Sequence, residues 1–172
     1  MKNILILLCF FQLFSCKKKG ENSNLKQTTI DNVFSVDLNI KILEDDKLQL
    51  FFIQDNSESG FSFQKKVNVN VQGKDEFQVV SFKLPSNVIP IRFRLDLGDN
   101  RKESEVQIKS ILIRLNNNVI SVDNSTIQRL FNPNKYLITS DYISFERKII
   151  GNDYDPYLLS TPLLNKKIEI DF

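Results

Sequence analysis

From Val36 onward the chain alternates apolar and polar residues with a period of two, in one short segment after another, which predicts strands rather than helices. Val36, Leu38, Ile40 and Ile42 interleave with Asp37, Asn39 and Lys41, so one face of this strand is buried and the other wet. Glu44 to Lys47 reads as a hairpin-like turn into Leu48 to Ile53, which is apolar on both faces and therefore central in a sheet. After the turn formers Asp55 to Gly60, the residues Phe61, Phe63, Val67, Val69 and Val71 keep the two-residue spacing, and Phe77 to Leu84 follows as a strand that Pro85 ends. On this rhythm Phe61, Phe63, Phe77, Phe82 and Phe93 are all core residues.

Ile91, Phe93, Leu95 and Leu97 alternate with Arg92, Arg94 and Asp96. Val106 and Ile108 are in one phase and Ile111, Ile113 and Leu115 in the other, a slip near Lys109 and Ser110 that predicts a β-bulge or a strand apolar on both faces. Asn116 to Asn118 is a turn before a short strand from Val119 to Val122. Only Thr126 to Phe131 has a helical pattern, with Asp123 or Ser125 available as its N-cap. Tyr136 to Thr139 and Tyr142 to Ile150 are further strands, and Ile168, Ile170 and Phe172 alternate in a closing strand. About nine or ten short strands with at most one short helix predict an all-β protein, an antiparallel β-sandwich of jelly-roll type.

The first residues follow another pattern. Lys2 precedes the apolar run Ile4 to Phe11, and Lys17, Lys18 and Lys19 stop the hydrophobic stretch short of the roughly 20 residues that a membrane-spanning helix needs. This is the layout of a secretion signal. Leu13-Phe14-Ser15-Cys16 resembles the lipobox of bacterial lipoproteins. The resemblance implies cleavage before Cys16, acylation of that cysteine and anchoring by two or more chains, enough for stable attachment to a bilayer. The division expected is a signal peptide over 1–15, lipidated Cys16 and a polar tether over 16–29, and the β-sandwich over 30–172. Lys17 stands where the family's inner-membrane retention signal has an aspartate, which points to the outer membrane.

Composition narrows the chemistry. The chain has no histidine, and its two cysteines are Cys9 in the signal and Cys16 at the lipidation position. The exported domain therefore has no disulfide, no thiolate or imidazole metal ligand, and no Ser-His or Cys-His nucleophile pair. A formal net charge of +2 with mixed signs leaves no nucleic-acid footprint. Carboxylates in turns, such as Asp153 with Asp155, Asp96 with Asp99, or Glu44 to Asp46, lack a diagnostic calcium spacing, so no metal or other cofactor is assigned. No carboxylate pair is singled out by spacing for glycoside hydrolysis, and the protein reads as a non-enzyme.

Two segments carry the candidate binding chemistry. Ile89-Pro90-Ile91-Arg92-Phe93-Arg94-Leu95-Asp96-Leu97-Gly98 with Val106 to Ile113, and later Gly151-Asn152-Asp153-Tyr154-Asp155-Pro156-Tyr157, resemble parts of the jelly rolls of carbohydrate-binding modules and galactose-binding-like domains. Leu97 replaces the proline that commonly follows the aspartate in that family. The resemblance implies a sandwich that handles cell-surface polysaccharide. Arg94 and Asp96 share a strand face, which suits a lateral structural pair as well as ligand contact. Tyr136, Tyr142, Tyr154 and Tyr157 are the available ring platforms, and Asn152, Asp153 and Asp155 supply polar edges. The expected function is binding of a glycan or another envelope ligand without catalysis. The alternative is a structural accessory lipoprotein that docks onto an envelope protein through a strand edge or apolar patch.

Overall fold

Phe34, Val36, Leu38, Ile40 and Ile42 are fully buried along β1 (Phe34–Ile42), while the residues between them are partly exposed. Burying each such side chain contributes about 1.5–3 kcal/mol, so the alternation fixes which face of the strand turns inward. The computed structural model describes residues 32–172, and the signal segment, Cys16 and the tether lie outside the described residues.

β1 pairs antiparallel with β4 (Lys74–Lys83) and with β6 (Glu105–Leu115). The free side of β6 is shared by β7 (Asn118–Asp123) and β10 (Ser144–Arg147), and β10 carries the short β9 (Leu137–Ile138). The second sheet has the order β3 (Lys66–Val71), β2 (Asp46–Ile53), β5 (Arg92–Asp96), β11 (Tyr157–Ser160) and β8 (Phe131–Pro133). All the pairings are antiparallel, and the inner faces of both sheets form one hydrophobic core. The fold is an all-β sandwich.

The turn after β1 does not make a hairpin. β1 and β2 belong to different sheets, and because β1 also pairs with β4 while β2 pairs with β3, the long β1–β4 hairpin is folded over with its halves in opposite layers. Folding a long ribbon in this way is how a jelly roll is built. The predicted slip in β6 is a register shift in which Asn39 faces Ser110 and Ile40 faces Ile108, leaving Lys109 as the extra residue of a bulge.

The chain from Thr161 onward forms a helix instead of the expected closing strand. Helix α2 (Pro162–Asp171) starts at Thr161, whose hydroxyl accepts from Leu164 N–H (3.3 Å), with Pro162 in the first turn. Leu164 and Ile168, four apart, bury the same side, and Phe172 packs its ring edge-on to Phe34 at 5.8 Å. The first helix is a single turn, α1 (Ile127–Leu130), and Thr126 is its N-cap. Asp123 instead ties the preceding turn, accepting from the N–H groups of Ser125 (3.0 Å) and Thr126 (3.2 Å).

Three phenylalanines expected in the core are not there. Phe63 is 81% exposed and Phe77 42% exposed, and Phe61 is half-buried in the loop before β3, whereas Phe82 and Phe93 are core residues. Phe61 and Phe63 alternate in sequence but precede the first paired residue of β3, so no pleat directs them inward.

At the pole of the sandwich where β1 ends and β2 begins, a fully buried ion pair joins the two sheets. Arg147 of β10 donates through Nη1 to Asp46 Oδ2 (2.5 Å) and to the Leu97 carbonyl (2.9 Å), through Nε to the Ser104 carbonyl (3.0 Å), and through Nη2 to Ser104 Oγ. Asp46 Oδ1 accepts from the backbone N–H groups of Lys47 (2.8 Å), Asp99 (2.8 Å) and Asn100 (3.1 Å). Gly98 has φ +128° and lies against this pair so closely that a Cβ there would overlap Arg147 Nη1 and Asp46 Oδ2.

Candidate functional site on the outer face of the second sheet

Phe93, Leu95 and Leu97 point inward from β5 and its extension, so Arg92, Arg94 and Asp96 face outward. Strand register lines their neighbours into rows. Asn68, Gln49, Asp96 and Tyr157 form one row across β3, β2, β5 and β11, and Lys66, Phe51, Arg94 and Leu159 form the next. The two segments singled out by sequence therefore meet here, because β5 and β11 are paired.

Arg94 is the centre of the arrangement. Its Nη2 donates to Asp96 Oδ2 (2.6 Å) and to Asp155 Oδ1 (3.0 Å). Its guanidinium carbon lies 4.3 Å from the Tyr157 ring centroid, 4.7 Å from that of Phe51 and 5.9 Å from that of Phe61. Lys66 Nζ lies 5.0 Å from the Phe51 centroid and 4.9 Å from that of Phe63. Cations and rings thus alternate across the sheet from Phe63 to Tyr157, each contact worth about 0.5–2 kcal/mol depending on desolvation. Beside them Gln49 Nε2 donates to Asn68 Oδ1 (3.1 Å).

The polar part of this face is under electrostatic tension. Asp96 is buried, and burial pushes its carboxyl up to about 6, against the lowering effect of the Arg94 hydrogen bond and charge. Burial also works to lower Arg94, but the Asp96 hydrogen bond and the Asp96 and Asp155 charges outweigh it and raise the guanidinium above its ordinary range. Asp96 Oδ1 and Arg94 Nε are buried with no hydrogen-bond partner among the described residues. Each such orphaned group costs about 1–3 kcal/mol, which the two ion-pair hydrogen bonds of Arg94 offset.

The other predicted residues lie elsewhere. Tyr154 donates its hydroxyl to the Lys102 carbonyl (3.2 Å), and burial pushes its phenol up to about 12. Tyr136 is buried, and Tyr142, at φ 56°, packs edge-on to Phe145 at 6.4 Å. Asn152 and Asp153 are exposed, and the Asn152 carbonyl accepts from Arg101 (2.8 Å). Of the seven candidate ligand contacts only Tyr157 and Asp155 join Arg94 and Asp96. Phe51, Lys66, Gln49 and Asn68 were not anticipated, although Gln49 and Phe51 occupy the outward phase of β2 and were legible as such.

A separate groove of about 810 Å³ lies at the opposite pole from Arg147, with Ile53, Ile89, Ile91 and Phe172 among its apolar lining and Arg92 and Lys166 among its polar lining. Its carboxylates are engaged locally. Glu58 accepts from the backbone N–H groups of Gln54 (2.9 Å) and Asp55 (3.1 Å) and pairs with Lys65 (2.9 Å), while Glu169 pairs with Lys166 (2.8 Å). Among the described residues no helix is long and apolar enough to cross a membrane, and no three His, Cys, Asp or Glu side chains are grouped to hold a metal ion. No protein-family model, curated protein or solved structure matches this chain.

Proposed function

We propose that this protein is a non-catalytic binding domain of the bacterial cell envelope, tethered to the outer membrane through acylated Cys16, that holds glycan on the outer face of its second sheet. One observation carries the reading: Arg94, Asp96, Asp155 and Tyr157 meet on one sheet face, where the Asp155 carboxylate and the Tyr157 ring stay partly exposed. Sugars present C–H faces to rings and vicinal hydroxyls to paired donors and acceptors. A hydroxyl both donates and accepts, so a polyol suits the accessible groups of this face, the Asp155 carboxylate and the Gln49 and Asn68 amides beside the Tyr157 ring. The anchor rests on Leu13-Phe14-Ser15-Cys16.

The docking alternative is favoured by a different observation, the apolar lining of the groove around Ile89, Ile91 and Phe172. It places recognition at another pole, so the two readings separate by mutation. The test is an array of bacterial envelope glycans probed with the full chain in mild detergent, beside Arg94→Ala and Cys16→Ala. We expect Arg94→Ala to lose at least about tenfold in signal, equivalent to about 1.4 kcal/mol. Cys16→Ala should keep the glycan signal and leave the detergent phase. No glycan signal above background, or a Cys16→Ala chain that stays in detergent, would overturn the proposal.

A further inference from the structure

Among the described residues β4 is an edge strand, and its open side is equipped for pairing. It has β1 as its neighbour in the sheet and runs for ten residues, Lys74–Lys83, without proline. Leu84 N–H donates to the Phe34 carbonyl (2.9 Å), which sets the direction of the ladder. Main-chain groups alternate sides along an antiparallel strand, so Gln78, Val80 and Phe82 address β1, and Phe77, Val79, Ser81 and Lys83 address the open edge. The residues with outward main chains also carry exposed apolar side chains, since Phe77 is 42% and Val79 63% exposed. An edge with free N–H and C=O groups beside exposed apolar residues is a template for another strand.

Charge selects the partner. With a two-fold axis through Val79 and perpendicular to the sheet, a second β4 places Val79 opposite Val79, Phe77 opposite Ser81, and Asp75 opposite Lys83 on both sides of the axis. The edge charges that would guard against random pairing then offset each other. Asp75 is 82% exposed and uses Oδ1 for Lys41 (3.0 Å), which leaves Oδ2 for the lysine of the other copy. The axis also keeps the outer faces of both sheets on the same side, so the core residues Val80 and Phe82 remain inward in each subunit.

We propose that two copies of this chain associate by antiparallel β4–β4 pairing centred on Val79, joining their β4-edged sheets into one continuous sheet. A hydrogen-bonded antiparallel pair holds its Cα atoms about 5.5 Å apart, within the roughly 4.4–6.8 Å that a disulfide spans. The full chain with Val79→Cys should therefore oxidise to a disulfide-linked dimer on a non-reducing gel, at least tenfold faster than Ser121→Cys on the outer face of β7, with the parent chain run beside both. A Val79→Glu chain, which sets like charges on the axis at an already exposed position, should remain folded and sediment as a monomer where the parent sediments as a dimer. Equal oxidation rates for Val79→Cys and Ser121→Cys, a Val79→Cys cross-link to a different protein, or a parent that sediments as a monomer would each overturn the pairing.

Discussion

Replacing Asp46 by alanine is expected to destabilise the protein by about 3–5 kcal/mol, the range for removing one partner of a buried ion pair. Both side chains of the Asp46–Arg147 pair are fully buried, so the remaining guanidinium would have no water to solvate it. The N–H groups of Lys47, Asp99 and Asn100 would lose their shared acceptor at the same time. Gly98→Ala should cost a similar amount through overlap with the same pair and through strain at φ +128°. A double variant, Asp46→Ala with Arg147→Met, should be less destabilised than Asp46→Ala alone, because it removes the stranded charge. Urea unfolding measures all three. A loss under about 1 kcal/mol for Asp46→Ala would show that the pair is not what couples the two layers.

The second large effect is a pH dependence that originates at Asp96. Its carboxyl titrates near 6 in the folded protein and at the ordinary 3.8 in the unfolded chain, so between these values the folded state binds more protons. Stability therefore falls as pH rises through this window, and the ionised carboxylate costs up to about 3 kcal/mol above it. The difference in unfolding free energy between the parent and Asp96→Asn should shift by about 1.3 kcal/mol between pH 5 and pH 7, the part of that total that falls in this interval, in the direction of a parent that is relatively more stable at the lower pH. Asp55, Glu58, Asp123 and Asp141 are all held below the ordinary carboxylate range, chiefly by hydrogen bonds to their ionised forms. Their contributions are lost as pH falls through the unfolded values of 3.8 for the aspartates and 4.5 for Glu58 and below, and they cancel in the parent-to-variant difference. A parent and an Asp96→Asn variant with the same pH profile would contradict the burial of an ionisable Asp96.

Much of the sandwich was legible because alternation in β1, β5 and β6 is enforced by the core on one side and water on the other. Even the Lys109 bulge was visible as a change of phase. Layer assignment was not legible, since a turn such as Glu44 to Lys47 has the same composition whether it closes a hairpin or carries the chain between sheets. The C-terminal helix was missed because Ile168, Ile170 and Phe172 also alternate by two. Thr161-Pro162, followed by Leu164 and Ile168 four apart, was the contrary signal. Strand β11 is only four residues long, too short for periodicity to reveal it.

The site was half legible. Arg94, Asp96, Asp155 and Tyr157 were named from two distant segments, and pairing of β5 with β11 brings them together. Their aromatic surroundings were misread, because Phe61 and Phe63 follow the strand rhythm yet belong to a loop that packs on cations. Arg147 had one signal in the sequence, its place in the same phase as buried Phe145, where a charged residue needs a buried partner.

The proposed binding of glycan, uncleaved, on the outer face of the second sheet has a residue-level signature. Amide shifts of the isotopically labelled full chain in micelles, titrated with the strongest glycan from the array, test it most directly. Shifts are expected to concentrate on Gln49, Asn68, Arg94, Asp96 and Tyr157, with the glycan recovered intact. Shifts confined to the groove around Ile89, Ile91 and Phe172, or recovery of a cleaved glycan, would contradict it.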